Sequence, residues 1–262
     1  MVSPAIDWQR IDATRAHRQA ASLLVFLAEM TDAHKRASIE ALALQSGHAA
    51  VDVGCGLGDD ARRLAEIVGP GGRVVGVDLS AELLGEARRR HRGTDGLEFR
   101  EADARALPFA DGSFAGARSE RVLQHIEDPE IAVRELARVV AHGGRVVALE
   151  PDWRTLAFSG QDEAVGQVVA RRAAAQIRNP AAGCLLAGWF AAADLAIERV
   201  EALPLLSRSF TTSERLCRLQ VALEQLEPAA ARQWQAERRR EQAEGSFMFA
   251  MLGVMVVGTR RR

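Results

Sequence analysis

Apolar residues recur at helical spacing early in the chain. Ala20, Leu23, Leu24, Leu27 and Met30 share one helical stripe, and Ile39, Leu42 and Leu44 follow, so Trp8 to Gly47 is read as helical. Ala49 to Val53 is then a short apolar run entering a glycine cluster, the pattern of a buried parallel strand. Asp59 to Val68 returns to helical spacing and stops at the breaker Gly69-Pro70-Gly71-Gly72. The alternation repeats: a strand over Arg73 to Val77, a helix capped by Ser80 and running to about His91, and strands over Leu97 to Arg100 and Phe114 to Arg118. Asp128 as N-cap and Pro129 at the first helical position open a helix ending at Gly143-Gly144, before a strand over Arg145 to Glu150. Strands alternating with helices across short turns predict a parallel sheet covered on both faces, joined by right-handed crossovers.

After Pro151 the pattern changes. Asp162 to Arg178 reads as an Ala- and Arg-rich helix, Ala187 to Asp194 as a short one, and Ile197 to Phe210 as an extended segment bent at Pro204. Thr211 and Glu214 fit a capping box opening a helical region over Leu216 to Glu241, with a break at Pro228. The apolar stretch Phe247 to Gly258 closes the sheet. Helices lodged between the last strands suggest a late lid over the site.

Composition narrows the possibilities. With 262 residues, 48% hydrophobic and 26% charged, the chain suits one α/β domain with a small cap. The formal net charge of −1 offers no field for a phosphate backbone, and no apolar run reaches the ~20 residues of a membrane span. The opening residues, with Asp7 and Asp12, lack the basic-then-apolar order of a secretion signal, so a cytoplasmic location is expected. Arg260, Arg261 and Arg262 make a basic tail of the kind usually solvated. Lys35 is the single lysine, which with abundant Ala, Gly and Arg is a codon signature of a GC-rich bacterial genome. Cys55, Cys184 and Cys217 are scattered thiols, and neither they nor the histidines have metal-ligand spacing, so no metal is expected.

The sharpest motif is Val51-Asp52-Val53-Gly54-Cys55-Gly56-Leu57-Gly58, a strand running into a helix. Glycines there let main-chain N–H groups approach a ligand that a Cβ would hold away. A dinucleotide fingerprint is G-x-G-x-x-G; here the third glycine falls one position early and Asp59 takes its place, where a carboxylate opposes pyrophosphate. That argues against a nicotinamide cofactor.

This loop resembles motif I of the class I S-adenosylmethionine-dependent methyltransferases. Gly76-Val77-Asp78-Leu79-Ser80 resembles the family's second strand end, whose acidic side chain accepts both ribose hydroxyls; Asp78 lies at the expected distance from the loop. Glu101-Ala102-Asp103-Ala104 resembles the third motif, where the Asp and the next backbone amide read the adenine edge. Leu107-Pro108-Phe109 with Asp111-Gly112-Ser113-Phe114 resembles the family's connection into the fourth strand, and Val122 to Asp128 and Ala141 to Arg145 resemble the ubiquinone/menaquinone-biosynthesis subfamily. The likeness spans Ala49 to Trp153. One position departs: the family usually has Asp after the Ser-Phe of the fourth strand, and Ala115 stands there.

The resemblance implies a Rossmann-like, doubly wound, seven-stranded, mostly parallel sheet with an antiparallel last strand, plus N-terminal helices and a helical lid inserted late. It implies one domain over 1–262: a helical cap (1–48), a cofactor-binding core (49–153), a lid with a late strand (154–245) and a closing strand and tail (246–262). The implied reaction is methyl transfer from S-adenosyl-L-methionine, with S-adenosyl-L-homocysteine as product, to a small-molecule acceptor such as a natural product or quinone-like metabolite. The expected partners are that acceptor, no nucleic acid and no membrane, with the chain a monomer or homodimer. A SAM-binding role without methylation, as cyclase or regulator, and an RNA methyltransferase are the competing readings.

The cofactor contacts expected are Asp52, Gly54, Cys55, Gly56, Gly58, Asp78, Leu79, Asp103, Ala104 and Ser119. Ligands in open α/β sheets sit beyond the carboxyl ends of the strands. His125 and Glu120, after the fourth strand, are therefore the candidate catalytic groups, although His125 also fits a helix end. Glu150, Asp152 and Trp153, after the fifth strand, and Arg178 and Asn179, before Pro180, are the candidate substrate contacts; helix C-terminal capping explains the last two equally well.

Overall fold

The alternation becomes a seven-stranded sheet in the computed structural model, which describes residues 8, 11–14, 16–160, 162–224 and 226–261. Asp7 and Arg262 lie outside these residues. Two helices, α1 (His17–Met30) and α2 (Asp32–Ala41), precede β1 (Ala49–Val53), α3 (Asp59–Val68), β2 (Arg73–Asp78), α4 (Ala81–Arg90), β3 (Leu97–Glu101) and β4 (Phe114–Glu120). A 3₁₀ turn (Leu123–His125), α5 (Pro129–Val139) and β5 (Val140–Phe158) follow. The remainder is α6 (Glu163–Ala174), α7 (Ala182–Ala192), β6 (Leu195–Ser207), α8 (Phe210–Leu216), α9 (Leu219–Leu223), α10 (Pro228–Glu244) and β7 (Phe249–Arg260).

The strand order is β3-β2-β1-β4-β5-β7-β6, with β7 antiparallel to both its neighbours and the other pairings parallel. Chain order reverses beside β1, where β2 pairs on one side and β4 on the other; this switch point opens the cleft. The short apolar runs are strands because both faces are covered. Val51, Val53, Val75 and Val77 pack with α5 and α7, while Ala50 and Val74 pack with α2 and α3 on the opposite face.

Several boundaries differ from the sequence reading. The helix opened by Pro129 ends at Val139 rather than at Gly143-Gly144, because Val140 already pairs with Phe114. Asp128 holds the N-cap position but accepts no capping bond; its carboxylate lies 3.9 Å from Arg105. β5 continues through Pro151 to Phe158, because β7 pairs along it from Arg145↔Thr259 to Phe158↔Phe249. In β6 the irregularity falls between Ile197 and Arg199; Pro204 stays in register with Leu252, tolerated because β6 is an edge strand. The cap of α8 is Ser209, whose Oγ accepts from Thr212 N–H at 3.1 Å, and Thr211 lies inside the helix. The helical region after it is interrupted at Cys217-Arg218 as well as before Pro228. The α6 helix stops at Ala174, short of Arg178, and α7 starts five residues before Ala187. Among the described residues, no helix is long and apolar enough to cross a membrane.

Candidate functional site

A cavity of about 1280 Å³, its open mouth included, lies at the carboxyl ends of β2, β1 and β4. Its base is the glycine loop from Gly54 to Leu57; Gly58, expected at the cofactor, is not among the lining residues and turns toward Phe99 and His91. Gly54, Gly56 and Gly58 have φ of +76°, +53° and +80°, a region that side chains disfavour. Space is as restrictive as torsion: a Cβ on Gly54 would lie 2.1 Å from Val122 Cγ2. Gly54 and Cys55 N–H groups donate to Val77 O at 2.7 and 2.9 Å, lashing the loop to β2.

Gly56 N–H also donates to Asp78 Oδ2 at 2.8 Å, and Ser80 N–H to Asp78 Oδ1 at 3.0 Å. The carboxylate is thereby fixed at the rim. Burial raises its pKa, opposed by those backbone donors. Leu79 lies beside it, 44% exposed. From β3, Ala102, Asp103 and Ala104 complete this wall. Arg105 grips Asp103 in a fork, with Nη2 to Oδ2 at 2.7 Å, and these bonds hold the carboxyl below its usual range. Ser80 Oγ donates to Asp12 at 2.5 Å, which docks the segment before α1 onto the start of α4.

Under the loop lies a buried charge cluster that the sequence reading missed. Strand alternation turns Arg118 and Glu120 into the cavity. Ser119, expected at the cofactor, falls on the opposite face of β4 and is not among the lining residues. Arg118 donates to Ser38 Oγ at 2.9 Å, Asp52 at 2.9 Å and Asp60 at 3.2 Å, and to Glu120. Lys35 Nζ lies 2.5 Å from Asp60 and 3.5 Å from Glu120. Burial opposes the charge on Arg118, yet its three carboxylates hold its pKa above the ordinary value. Asp52 moves the other way: burial outweighs Arg118 and pushes it up to about 6. Burial would raise Asp60 too, but Arg118 and Lys35 hold it below the usual range.

Under α1 the lining is apolar: Leu24, Leu27 and Ala28 of that helix, with Trp8, Ile11, Val122 and Ile126; Leu24 lies over Gly56, and Arg121 and His125 line the same cavity. The Trp8 ring lies 5.4 Å from the His125 ring, centroid to centroid. Burial, then the charge of Arg121, pushes His125 down to about 3, so its imidazole is neutral and weakly basic. Glu120, the other candidate for proton transfer, faces Arg118 with one oxygen and Lys35 with the other.

None of the five candidate substrate residues lines this cavity. Glu150 accepts the N–H groups of Val122 and Leu123 at 2.8 Å and of Gln124 at 3.3 Å, anchoring the 3₁₀ turn, and burial raises it to about 7. Asp152 is forked by Arg154, and Trp153 Nε1 donates to Gln124 Oε1 at 2.6 Å. Asn179 Nδ2 donates to Leu123 O and Ile126 O at 2.9 and 2.6 Å, closing the far end of the same turn. Arg178 is exposed. The late helices likewise contribute no lining residue; α6, α8, α9 and α10 pack on the long arms of β5 and β7 around Trp234, Phe210 and Phe249. The cover of the cavity is α1 and the segment before it.

The lining fits a sulfonium nucleoside better than a dinucleotide. Asp52, Asp59, Asp60, Asp78, Asp103 and Glu120 face Lys35, Arg118 and Arg121, an acidic excess that welcomes a cation and opposes pyrophosphate.

Residues 51–148 match the methyltransferase domain family. The chain is 37% identical over 188 residues to an uncharacterized 37.1 kDa protein in transposon TN4556 of Streptomyces fradiae, covering 71% of this chain and 54% of that protein. It is 36% identical over 119 residues to the ubiquinone/menaquinone biosynthesis C-methyltransferase UbiE of Hahella chejuensis, covering 44% of this chain and 48% of the relative. The chain thus spans about half the length of these curated relatives. The YcgJ protein of Bacillus subtilis shares the fold, with a TM-score of 0.60 at 19% identity over 87% of this chain and 98% of that one.

Proposed function

We propose, from the premise that this chain belongs to the class I S-adenosylmethionine-dependent methyltransferases of the UbiE-like type, that it methylates a small apolar acceptor held beneath α1. The observation that carries the reading is the bond from Gly56 N–H to Asp78, which sets a carboxylate beside a glycine loop at the mouth of an acidic cavity. When bound, the cofactor supplies a sulfonium methyl that an acceptor nucleophile displaces in line. Asp78 is suited to accept the two ribose hydroxyls, because the lone pairs not used by Gly56 and Ser80 remain available. Asp103 and Ala104 stand at the adenine side, and the acidic floor favours a cationic sulfur. Leu24, Leu27 and Trp8 exclude water from the reacting pair, and orientation of this kind is worth effective molarities of ~10⁵–10⁸ M.

His125 and Glu120 border the reacting region, but their surroundings suit them to positioning. A neutral imidazole of low basicity is a poor proton acceptor, and both oxygens of Glu120 are engaged, one by Arg118 and one by Lys35. The acceptor nucleophile is therefore one that needs no strong base. The apolar lobe under α1, rather than the late helices, supports a natural-product or quinone-like acceptor.

Calorimetric titration with S-adenosylhomocysteine tests the reading. We expect saturable binding by the wild type and at least tenfold weaker binding by Asp78→Ala, with an unchanged circular dichroism spectrum. No heat from the folded wild type with either the methyl donor or its product would sink it.

A further inference from the structure

Each cation in the cavity except one has a partner. Lys35 holds Asp60, and Arg118 holds Asp52, Asp60 and Glu120. Arg121 makes no side-chain hydrogen bond or ion pair among the described residues, although it is half-buried and lines the cavity. The two acids nearest to it are engaged elsewhere: Glu120 by Arg118 and Lys35, Glu150 by three backbone N–H groups. Its backbone is held at φ +60°, outside the region arginine prefers, by the bond from its N–H to Leu149 O at 2.9 Å. A half-buried guanidinium without an ion-pair partner and a left-handed non-glycine residue are each costly to maintain, and such features collect where a ligand is received.

Its position separates it from the cofactor's anchor. Asp78 ends β2; Arg121 follows β4, two strand spacings across the sheet, roughly 10 Å away. Arg121 lines the cavity with Val122 and His125, its neighbours after β4, and with Trp8, whose ring lies against that of His125.

We propose that Arg121 is the acceptor's recognition residue and that the acceptor carries an anionic oxygen group, a carboxylate or an ionised phenol or enol, paired with this guanidinium. The inference rests on the methyltransferase reading and deepens it. A planar fork of donors suits such a group, and pairing an ionised hydroxyl with a fixed cation supplies a nucleophile without a general base, as the neighbouring groups require. The hydroxyl proton then leaves to solvent before the acceptor binds; the acceptor oxygen attacks the methyl as the S–CH3 bond breaks and S-adenosylhomocysteine departs, or its conjugated carbon attacks and afterwards releases the proton it carried to solvent.

The test uses the full chain saturated with S-adenosylhomocysteine. Benzoate is titrated against benzamide, its neutral counterpart, and the ionisation of 4-nitrophenol is followed by its visible absorbance in the bound state. We expect benzoate to bind at least tenfold tighter than benzamide, or the bound nitrophenol to ionise about one pH unit lower than free. Either preference should vanish in Arg121→Gln and persist in part in Arg121→Lys, with S-adenosylhomocysteine affinity within twofold of wild type. Equal binding of benzoate and benzamide together with unshifted nitrophenol in the wild type overturns the proposal, and this arm holds even if Arg121→Gln does not fold. A parallel fall in S-adenosylhomocysteine affinity in Arg121→Gln also overturns it, since Arg121 would then read the cofactor's own carboxylate. Failure of the wild type to bind S-adenosylhomocysteine at all is the separate failure of the parent reading.

Discussion

Two titratable groups, half-buried His125 and buried Glu150, impose opposite pH dependences on stability. His125 is pushed down to about 3, so between pH 3 and its ordinary 6.5 the unfolded chain binds a proton that the folded chain refuses. Its contribution is complete above 6.5 and lost as pH falls. Glu150 is raised to about 7 from an ordinary 4.5, so its contribution is complete below 4.5 and lost as pH rises through 7. The slopes oppose each other between 4.5 and 6.5 and each reaches at most ~1.4 kcal/mol per pH unit. Urea unfolding across this range should show His125→Gln gaining on the wild type as pH falls, and Glu150→Gln gaining as pH rises. Parallel curves for wild type and either variant would refute the assignment of these buried charges. Because His125 does not titrate near neutrality, His125→Gln should also leave the shape of the pH–rate profile unchanged.

At the scale of elements, the strand-to-helix bend carries most of what the sequence disclosed. Ala49 to Val53 and Asp59 to Val68 are read correctly to the residue because the glycines between them are demanded locally, by φ. The same bend is fragile. In Gly54→Ala the new methyl meets both methyl groups of Val122 and the left-handed backbone remains, so we expect loss of S-adenosylhomocysteine binding and ~1–3 kcal/mol of destabilisation. Adding Val122→Ala should restore part of the stability by removing the clash, leaving the torsional strain. Elements set by distant pairing were less legible. Pro151 reads as a strand end, yet β7 carries β5 beyond it, and no local pattern in residues 151–158 announces a partner a hundred residues away. Glu150 and Asn179 look like ligand contacts in sequence because their charge and polarity invite it. In the fold they close the two ends of one 3₁₀ turn, a role visible only when the carbonyls and N–H groups they meet are in place. Arg118 and Lys35 were missed for the same reason: their carboxylates, Asp52, Asp60 and Glu120, come from three separate segments.

Across the whole molecule, that Arg118-centred cluster joins α2, β1, α3 and β4 beneath the cavity. Arg118 is 2% exposed. Arg118→Leu would leave Asp52, Asp60 and Glu120 buried with Lys35 as their nearest remaining cation, so we expect destabilisation of ~3–5 kcal/mol at pH 7.5. The deficit should shrink in acid, as the crowded carboxylates take up protons; thermal unfolding at pH 7.5 and 5 measures it. A deficit that is small, or equal at both pH values, would show that the cluster does not bind these four elements together.

Lys35 gives the cluster a practical consequence. It is the chain's only lysine, and its side chain, 17% exposed, stands in the cavity wall. An amine-selective acylating reagent therefore finds one ε-nitrogen in the entire polypeptide, located in the chamber itself. The rate at which mass spectrometry registers an adduct there becomes a built-in gauge of occupancy, slowed by whatever molecule fills the chamber and readable before any acceptor has been identified.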